Sequence, residues 1–206
     1  MSSSGPEFAS EMGGPSAPPS RNGRKPGNRL TVEDWIEAGF GLIAEEGLRA
    51  VKIERLCERL GVTKGSFYWH FSDVRGYLDA LTSAWAEAAA AQRTTLTELR
   101  RLPPAERLRA MTEHLSSPRQ WTLERAIREW ARYDAGVAAQ VSSSDVFVFG
   151  EVSRVFGDSG FAPDEAGMRA RAAFAAGIGL IHLSPEPPSV ADARERERFL
   201  AFMLRP

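Results

Sequence analysis

Residues 63–70, Thr63-Lys64-Gly65-Ser66-Phe67-Tyr68-Trp69-His70, gather an ammonium, two hydroxyls, a phenol, an indole and an imidazole into about two helical turns. Lysine offers a point charge to a phosphate, and hydroxyl, phenol and imidazole groups can bond to phosphate oxygens or base edges. Tyrosine adds apolar contact with sugars or thymine methyls. This chemistry grips a polyanion and breaks no bond. The chain carries no Ser-His-Asp set, no paired carboxylates at catalytic spacing, no phosphate loop and no cofactor motif. His114 and His182 have no second His, Cys or acid at ligand spacing. Neither a metal nor a cofactor is expected.

Helical geometry divides the cluster. Side chains three and four apart share a face, so Phe67 and Phe71, in line with Val62, should pack inward. Thr63, Lys64 and Tyr68 then fall elsewhere, with Trp69 between the two faces. Gly65 and Ser66 are small and allow another surface to come close. For His70 two readings stand open, an outward contact or a cap or core residue. Lys52 and Arg75, before and after the cluster, are further candidate cations.

These residues need a scaffold, and the preceding stretch supplies one. Thr31 and Asp34 form a capping-box pattern ahead of Ile36, Phe40, Ile43 and Ala44, which recur at helical spacing until Gly47. Gly39 and Gly41 weaken this helix by about 1 kcal/mol each relative to alanine, so packing must hold it. A second helix from about Lys52 places Ile53, Leu56, Cys57 and Leu60 on its buried stripe. Cys57 is there a small core residue. Gly61 stops this helix, Val62 closes the turn and Thr63 caps a third helix running to about His70. Two short helices across a glycine turn make a helix-turn-helix, whose second helix is built to enter the DNA major groove.

Composition sets the outer limits. The 206 residues are 43% apolar and 26% charged with a net charge of -1, ordinary for a soluble globular chain large enough to bury a core. No apolar run approaches the roughly 20 residues of a membrane span. The lone cysteine and the lack of a secretory pattern suit a cytoplasmic protein. Residues 1–28 are rich in Ser, Gly and Pro and are expected to be disordered. Within and just after them Arg21, Arg24, Lys25 and Arg29 are either a solubilising tail or a basic arm for phosphates or a minor groove.

The segments "AEEG" and "IERLCERLGVTKGSFYWHF" resemble the TetR-type transcriptional repressors. Residues 61–71 follow that family's pattern G-V-[ST]-x-G-[ST]-[LF]-Y-x-[HY]-F, and the likeness covers roughly residues 30–80. It implies an all-α subunit, with a three-helix DNA-binding domain at 29–75 and an effector-binding and dimerisation domain at 76–206. It also implies a homodimer on a roughly palindromic double-stranded operator. Thr63, Lys64, Ser66, Tyr68 and His70 match positions that commonly touch bases or phosphates in the family, and Trp69 a variable position that often reads sequence. Gly65 stands at the family's usual glycine. One departure is visible: where the family carries a phosphate-gripping lysine, "FSDVRGYL" has Val74, with Arg75 beside it as a substitute.

Downstream, a fourth helix is expected from Asp73 to about Arg100, with Leu78, Leu81, Trp85, Ala88 and Ala89 on one face. Prolines at 103–104, 118 and 163 mark later helix starts. The segment "DVFVFG" favours a strand locally and is read as helix from the family. An effector pocket would lie among the later helices, with Trp85, Met111, His114, Trp121, Trp130, Phe147 and Phe149 as candidates against the plainer reading of core aromatics. By resemblance the last two long helices form a dimer bundle using Met168, Ala172, Ala176, Gly179, Leu180, Phe199 and Phe202, the alternative being completion of the subunit core. The expected function is a repressor released from DNA by a small molecule. An activator, or a helical ligand-binding protein or enzyme with a degenerate head, is the alternative.

Overall fold

The computed structural model describes residues 30–189 and 192–205, and every regular element among them is helical. The basic arm with Arg24 and Lys25 lies outside the described residues.

Helix α1 (Val32–Glu46) starts on the expected capping box: the Asp34 amide donates to Thr31 Oγ1 at 3.3 Å, and the Thr31 amide to the Asp34 carboxylate at 2.9 Å. It ends at Gly47, whose φ of 84° suits glycine. Helices α2 (Ile53–Leu60) and α3 (Lys64–His70) meet at Gly61, left-handed at φ 68° and ψ 37°. The Val62 amide returns to the Cys57 carbonyl at 3.0 Å and the Gly61 amide to Glu58 at 3.3 Å. That is the bond pattern of a Schellman turn. Helix α4 (Val74–Glu98) is capped by Asp73, whose carboxylate accepts from the Gly76 amide at 2.8 Å.

The head's core is aromatic. Trp35, Phe67 and Tyr77 are fully buried, with Phe71 beside them. Trp35 meets Phe67 edge-on at 5.5 Å, and Phe71 meets Tyr77 edge-on at 4.9 Å. These are the favoured offset geometries. Tyr77 donates its hydroxyl to the Trp35 carbonyl at 2.6 Å. Burial pushes its phenol pKa well up, so it stays a donor. Gly39 makes room for this contact, since a Cβ there would stand 2.1 Å from the Tyr77 hydroxyl.

Below the head lie α5 (Pro104–Leu115), α6 (Pro118–Ala131), α7 (Ala135–Asp158), α8 (Pro163–Leu183) and α9 (Ala193–Met203). The β-prone "DVFVFG" lies inside α7, where burial of Val141, Val152, Val155 and Phe156 along one face overrides local preference. Leu108, Met111, Val155, Phe156, Ala170 and Leu200 form the centre of the body's core. The buried Glu151 is matched by Arg100, which donates to it at 2.9 Å and 2.5 Å. Met168, Ala172, Leu180, Phe199 and Phe202 are exposed on α8 and α9, with Ala176 and Gly179 half-buried and Leu200 and Met203 turned into the core.

Helix α1 packs along α6. Arg125 on α6 donates to the Ala44 carbonyl at the end of α1 (3.3 Å) and to the Ser184 carbonyl at the end of α8 (2.9 Å). One guanidinium thus bridges the head and the far wall of the body.

Candidate nucleic-acid interface and ligand cavity

Helix α3 is short, and its one fully buried side chain, Phe67, sets its rotation. With Phe67 inward, Tyr68 is 56% exposed and Trp69 67% exposed. The Tyr68 ring rests edge-on against Phe67 at 5.6 Å, which steadies its base while the phenol points outward. Trp69, read as lying between the two faces, projects outward with Tyr68. Thr63, Lys64, Gly65, Lys52 and Arg75 are exposed, and Ser66 and Val74 are half-buried. His70 sits at the core's margin, its ring 6.3 Å from Trp35 and 6.1 Å from Phe71.

Gly65 has a telling environment. A Cβ there would meet nothing closer than Thr63 Oγ1 at 3.7 Å. The fold therefore has room for a side chain, and glycine in a helix costs about 1 kcal/mol relative to alanine. The fold itself does not require glycine here.

Lys64 is held in place before any partner arrives. Its ammonium lies 2.5 Å from the Glu54 carboxylate on α2. Each keeps the other charged, the hydrogen bond lowering the Glu54 pKa and raising that of Lys64. Both groups are solvent-exposed, so the pair adds little to stability. Lys64→Ala is expected to leave the melting temperature unchanged. It should flatten the log–log salt dependence of DNA binding by about 0.9, read from a titration series in sodium chloride. An unchanged slope would remove Lys64 from the phosphate contacts.

Behind the head the body carries an open-sided cavity of about 670 Å³, bounded by parts of α4 to α9. Met111, His114 and Trp121 line it. Trp85, Trp130, Phe147 and Phe149 do not. Trp130 follows Trp121 by nine residues, two and a half turns at 100° per residue, and so faces the opposite way. Trp85 sits about two turns nearer the head than Gln92, where α4 reaches the cavity. Phe147 falls off the α7 stripe of Ser144, Val148 and Val152 and packs on the body's core, with Arg93 5.5 Å above its ring. Phe149 also packs on that core and meets Phe174, a lining residue, at 5.9 Å. Burial lowers the His114 pKa, so the imidazole is neutral near pH 7.

The sequence reading missed the polar part of this wall. Arg128 on α6 grips Asp145 on α7 with both terminal nitrogens, at 3.0 Å and 2.7 Å, and reaches Glu124 at 3.1 Å. Gln120 donates to the other Glu124 oxygen at 3.0 Å. The signal was present in "LERAIREW", where an acid and a base four apart share a helix with Leu123 and Ile127. Among the described residues no cluster of His, Cys, Asp and Glu could hold a metal ion. No helix is long and apolar enough to cross a membrane.

Against known proteins, residues 36–81 match the family described as bacterial regulatory proteins, tetR family. The tetracycline repressor protein class C of Escherichia coli is 40% identical over 57 residues, 28% of this chain and 26% of the relative. The class G protein of Vibrio anguillarum is 43% identical over 49 residues, 24% of this chain and 23% of the relative. The chain thus spans about a quarter of the length of these relatives. Whole-chain likeness comes from solved structures. A ketosteroid transcriptional regulator of Mycobacterium tuberculosis superposes with a TM-score of 0.63 at 18% identity, over 84% of this chain and 92% of its own. A transcriptional regulator from a Rhodococcus species gives 0.61 at 22% identity, over 85% and 94%. At such identities the likeness is one of fold.

Proposed function

We propose, for a chain whose residues 36–81 form a TetR-family head, that it acts as a transcriptional repressor which leaves DNA when a small molecule fills its body. In this reading residues 29–75 are the DNA-binding part and 76–206 the effector and dimer part. The observation that carries it is the division of α3: Phe67 is fully buried while Tyr68 and Trp69 stand out beside a glycine that the fold itself does not need. Thr63, Lys64, Ser66 and Tyr68 then meet phosphates and base edges, Trp69 reads sequence, and Lys52 and Arg75 add backbone charge. His70 serves the core more than the contact.

The working unit is a homodimer on a roughly palindromic operator. The exposed Met168, Ala172 and Phe202 of α8 and α9 lead its bundle, and Ala176, Gly179, Leu180 and Phe199 also border the cavity. A C2 dimer places two α3 helices one DNA turn apart, about 34–36 Å. The effector can release DNA only by as much as it binds the DNA-free arrangement more tightly.

Arg125 supplies a route between the sites, because its partners are the ends of α1 and α8 and Ser184 borders the cavity. Arg125→Ala is expected to keep operator binding while reducing the effector's power to release DNA several-fold, a loss of about 1 kcal/mol of coupling. Full release in the folded variant would discard this route.

The test of the function is fluorescence anisotropy of the full chain against labelled DNA from upstream of its own gene, with an unrelated duplex as competitor. Sequence-preferring binding near or below about 10⁻⁸ M supports the repressor reading. Failure there and in a genome-wide fragment selection would sink it.

A further inference from the structure

We infer that the body cavity is built for a lipophilic cation: a molecule with a hydrocarbon or aromatic body and one positive charge. Its meaning as an effector rests on the repressor reading, but the ligand class is read from the cavity wall alone.

The wall is mostly apolar, with Leu96, Met111, Val148, Phe174, Ile178 and Ile181 among its members. At about 670 Å³ it falls within the size range of small-molecule pockets. Hydrocarbon walls select a hydrocarbon ligand body, and the charged residues select its polar group. Those residues form two sets. On α6 and α7, Glu124 and Asp145 share the single guanidinium of Arg128. At the start of α9, the exposed Asp192 and Glu195 and the half-buried Arg196 also border the cavity. Each set holds two carboxylates for one cation, and neutral His114 adds no positive charge.

Accessibility points the same way. In the first set the Asp145 side chain is 30% exposed while those of Glu124 and Arg128 are 12% and 11%, so Asp145 is the most accessible of the three. Arg128 is committed through both terminal nitrogens, and Asp192 already accepts from the Ser189 hydroxyl at 2.8 Å and amide at 2.7 Å. Arg125, which touches the wall at Ser184, is bonded to the Ser184 and Ala44 carbonyls rather than to either set. Burial raises the Glu124 pKa even beside Arg128, which holds this carboxyl toward its neutral form until counter-charge is supplied. A ligand cation would supply that charge where water screens it weakly. The aromatic side chains of Trp121 and Phe174 in the same wall suit a cation as well. An anion would oppose ionisation of Glu124, and a neutral ligand would not promote it.

The test uses the full chain in isothermal titration calorimetry with three probes of one chain length, all well below their micellar concentrations. These are decyltrimethylammonium, 1-decanol and decyl sulfate. The ammonium is expected to bind at least about tenfold tighter than either of the others. Glu124→Gln and Asp145→Asn should each cut its affinity toward that of decanol while decanol binding stays unchanged, which also shows that the cavity has kept its shape. If one variant no longer holds decanol, the other decides, and the wild-type series alone decides the charge preference. Equal affinities, a preference for the sulfate, or a cation preference untouched by both substitutions would overturn the inference. Operator release is read separately by anisotropy. Tight, carboxylate-dependent ammonium binding that leaves the DNA complex intact would count against the effector reading and leave the cavity's charge selectivity standing.

Discussion

Phe67→Ala is expected to destabilise the protein by about 3–5 kcal/mol, whereas Tyr68→Ala, one residue on, should change stability little and weaken operator binding. Phe67 has no exposed surface and makes aromatic contacts with Trp35, Tyr68, Phe71 and Tyr77. Truncation removes its transfer free energy and leaves a void that rigid aromatic neighbours can fill only in part. Tyr68 loses one edge contact and an otherwise exposed ring. Urea unfolding of both variants, with anisotropy on the folded one, separates the two roles. Tyr68→Ala that folds normally and binds the operator as tightly as wild type would refute the outward role of that face. A cost below about 1 kcal/mol for Phe67→Ala would mean that the head's core is held by something else.

The second large effect concerns a residue with no side chain. Gly39→Ala should improve helix propensity by about 1 kcal/mol, yet the new Cβ would stand 2.1 Å from the Tyr77 hydroxyl and 3.0 Å from Leu81 Cδ2. Tyr77 cannot retreat cheaply, because its ring is buried and its hydroxyl is bonded to the Trp35 carbonyl at 2.6 Å. Overpacking costs about 1–3 kcal/mol, and the displaced hydrogen bond adds about 1 kcal/mol. A net loss of about 2 kcal/mol is expected from these opposing amounts. Tyr77→Phe removes the clashing oxygen, so Gly39→Ala should cost less in that background. A coupling of at least about 1 kcal/mol in the double-mutant cycle would confirm the contact. Additive losses, or a stabilising Gly39→Ala, would show that the tyrosine yields freely.

These two sites mark where local and tertiary information part. Thr31 with Asp34, Gly61 with Val62 and Asp73 were legible as helix boundaries because capping is decided within four residues by the unpaired amides and carbonyls of helix ends. The rotation of α3 was legible for a similar reason: Phe67 and Phe71 lie on one side of a 3.6-residue period, and Tyr68 does not. The DNA-facing candidates followed from that rotation and from the family pattern.

What only the tertiary structure decided depends on residues distant in the chain. Gly39 read as a weakness in α1 until Tyr77, 38 residues later, occupied its space. Trp35 offered no clue to its role at the centre of the head, since its partners lie on α3 and α4 and at the turn between them. Aromatic type could not tell cavity from core: Trp121 lines the cavity, while Trp130 faces the other side of the same helix. The cluster of Glu124, Arg128 and Asp145 exists only because α6 and α7 pack side by side. Helix boundaries and faces are set by short-range backbone bonding and periodicity, which one segment carries alone. A cavity and its charge arise from surfaces on several segments, and the sequence does not state which of them will meet.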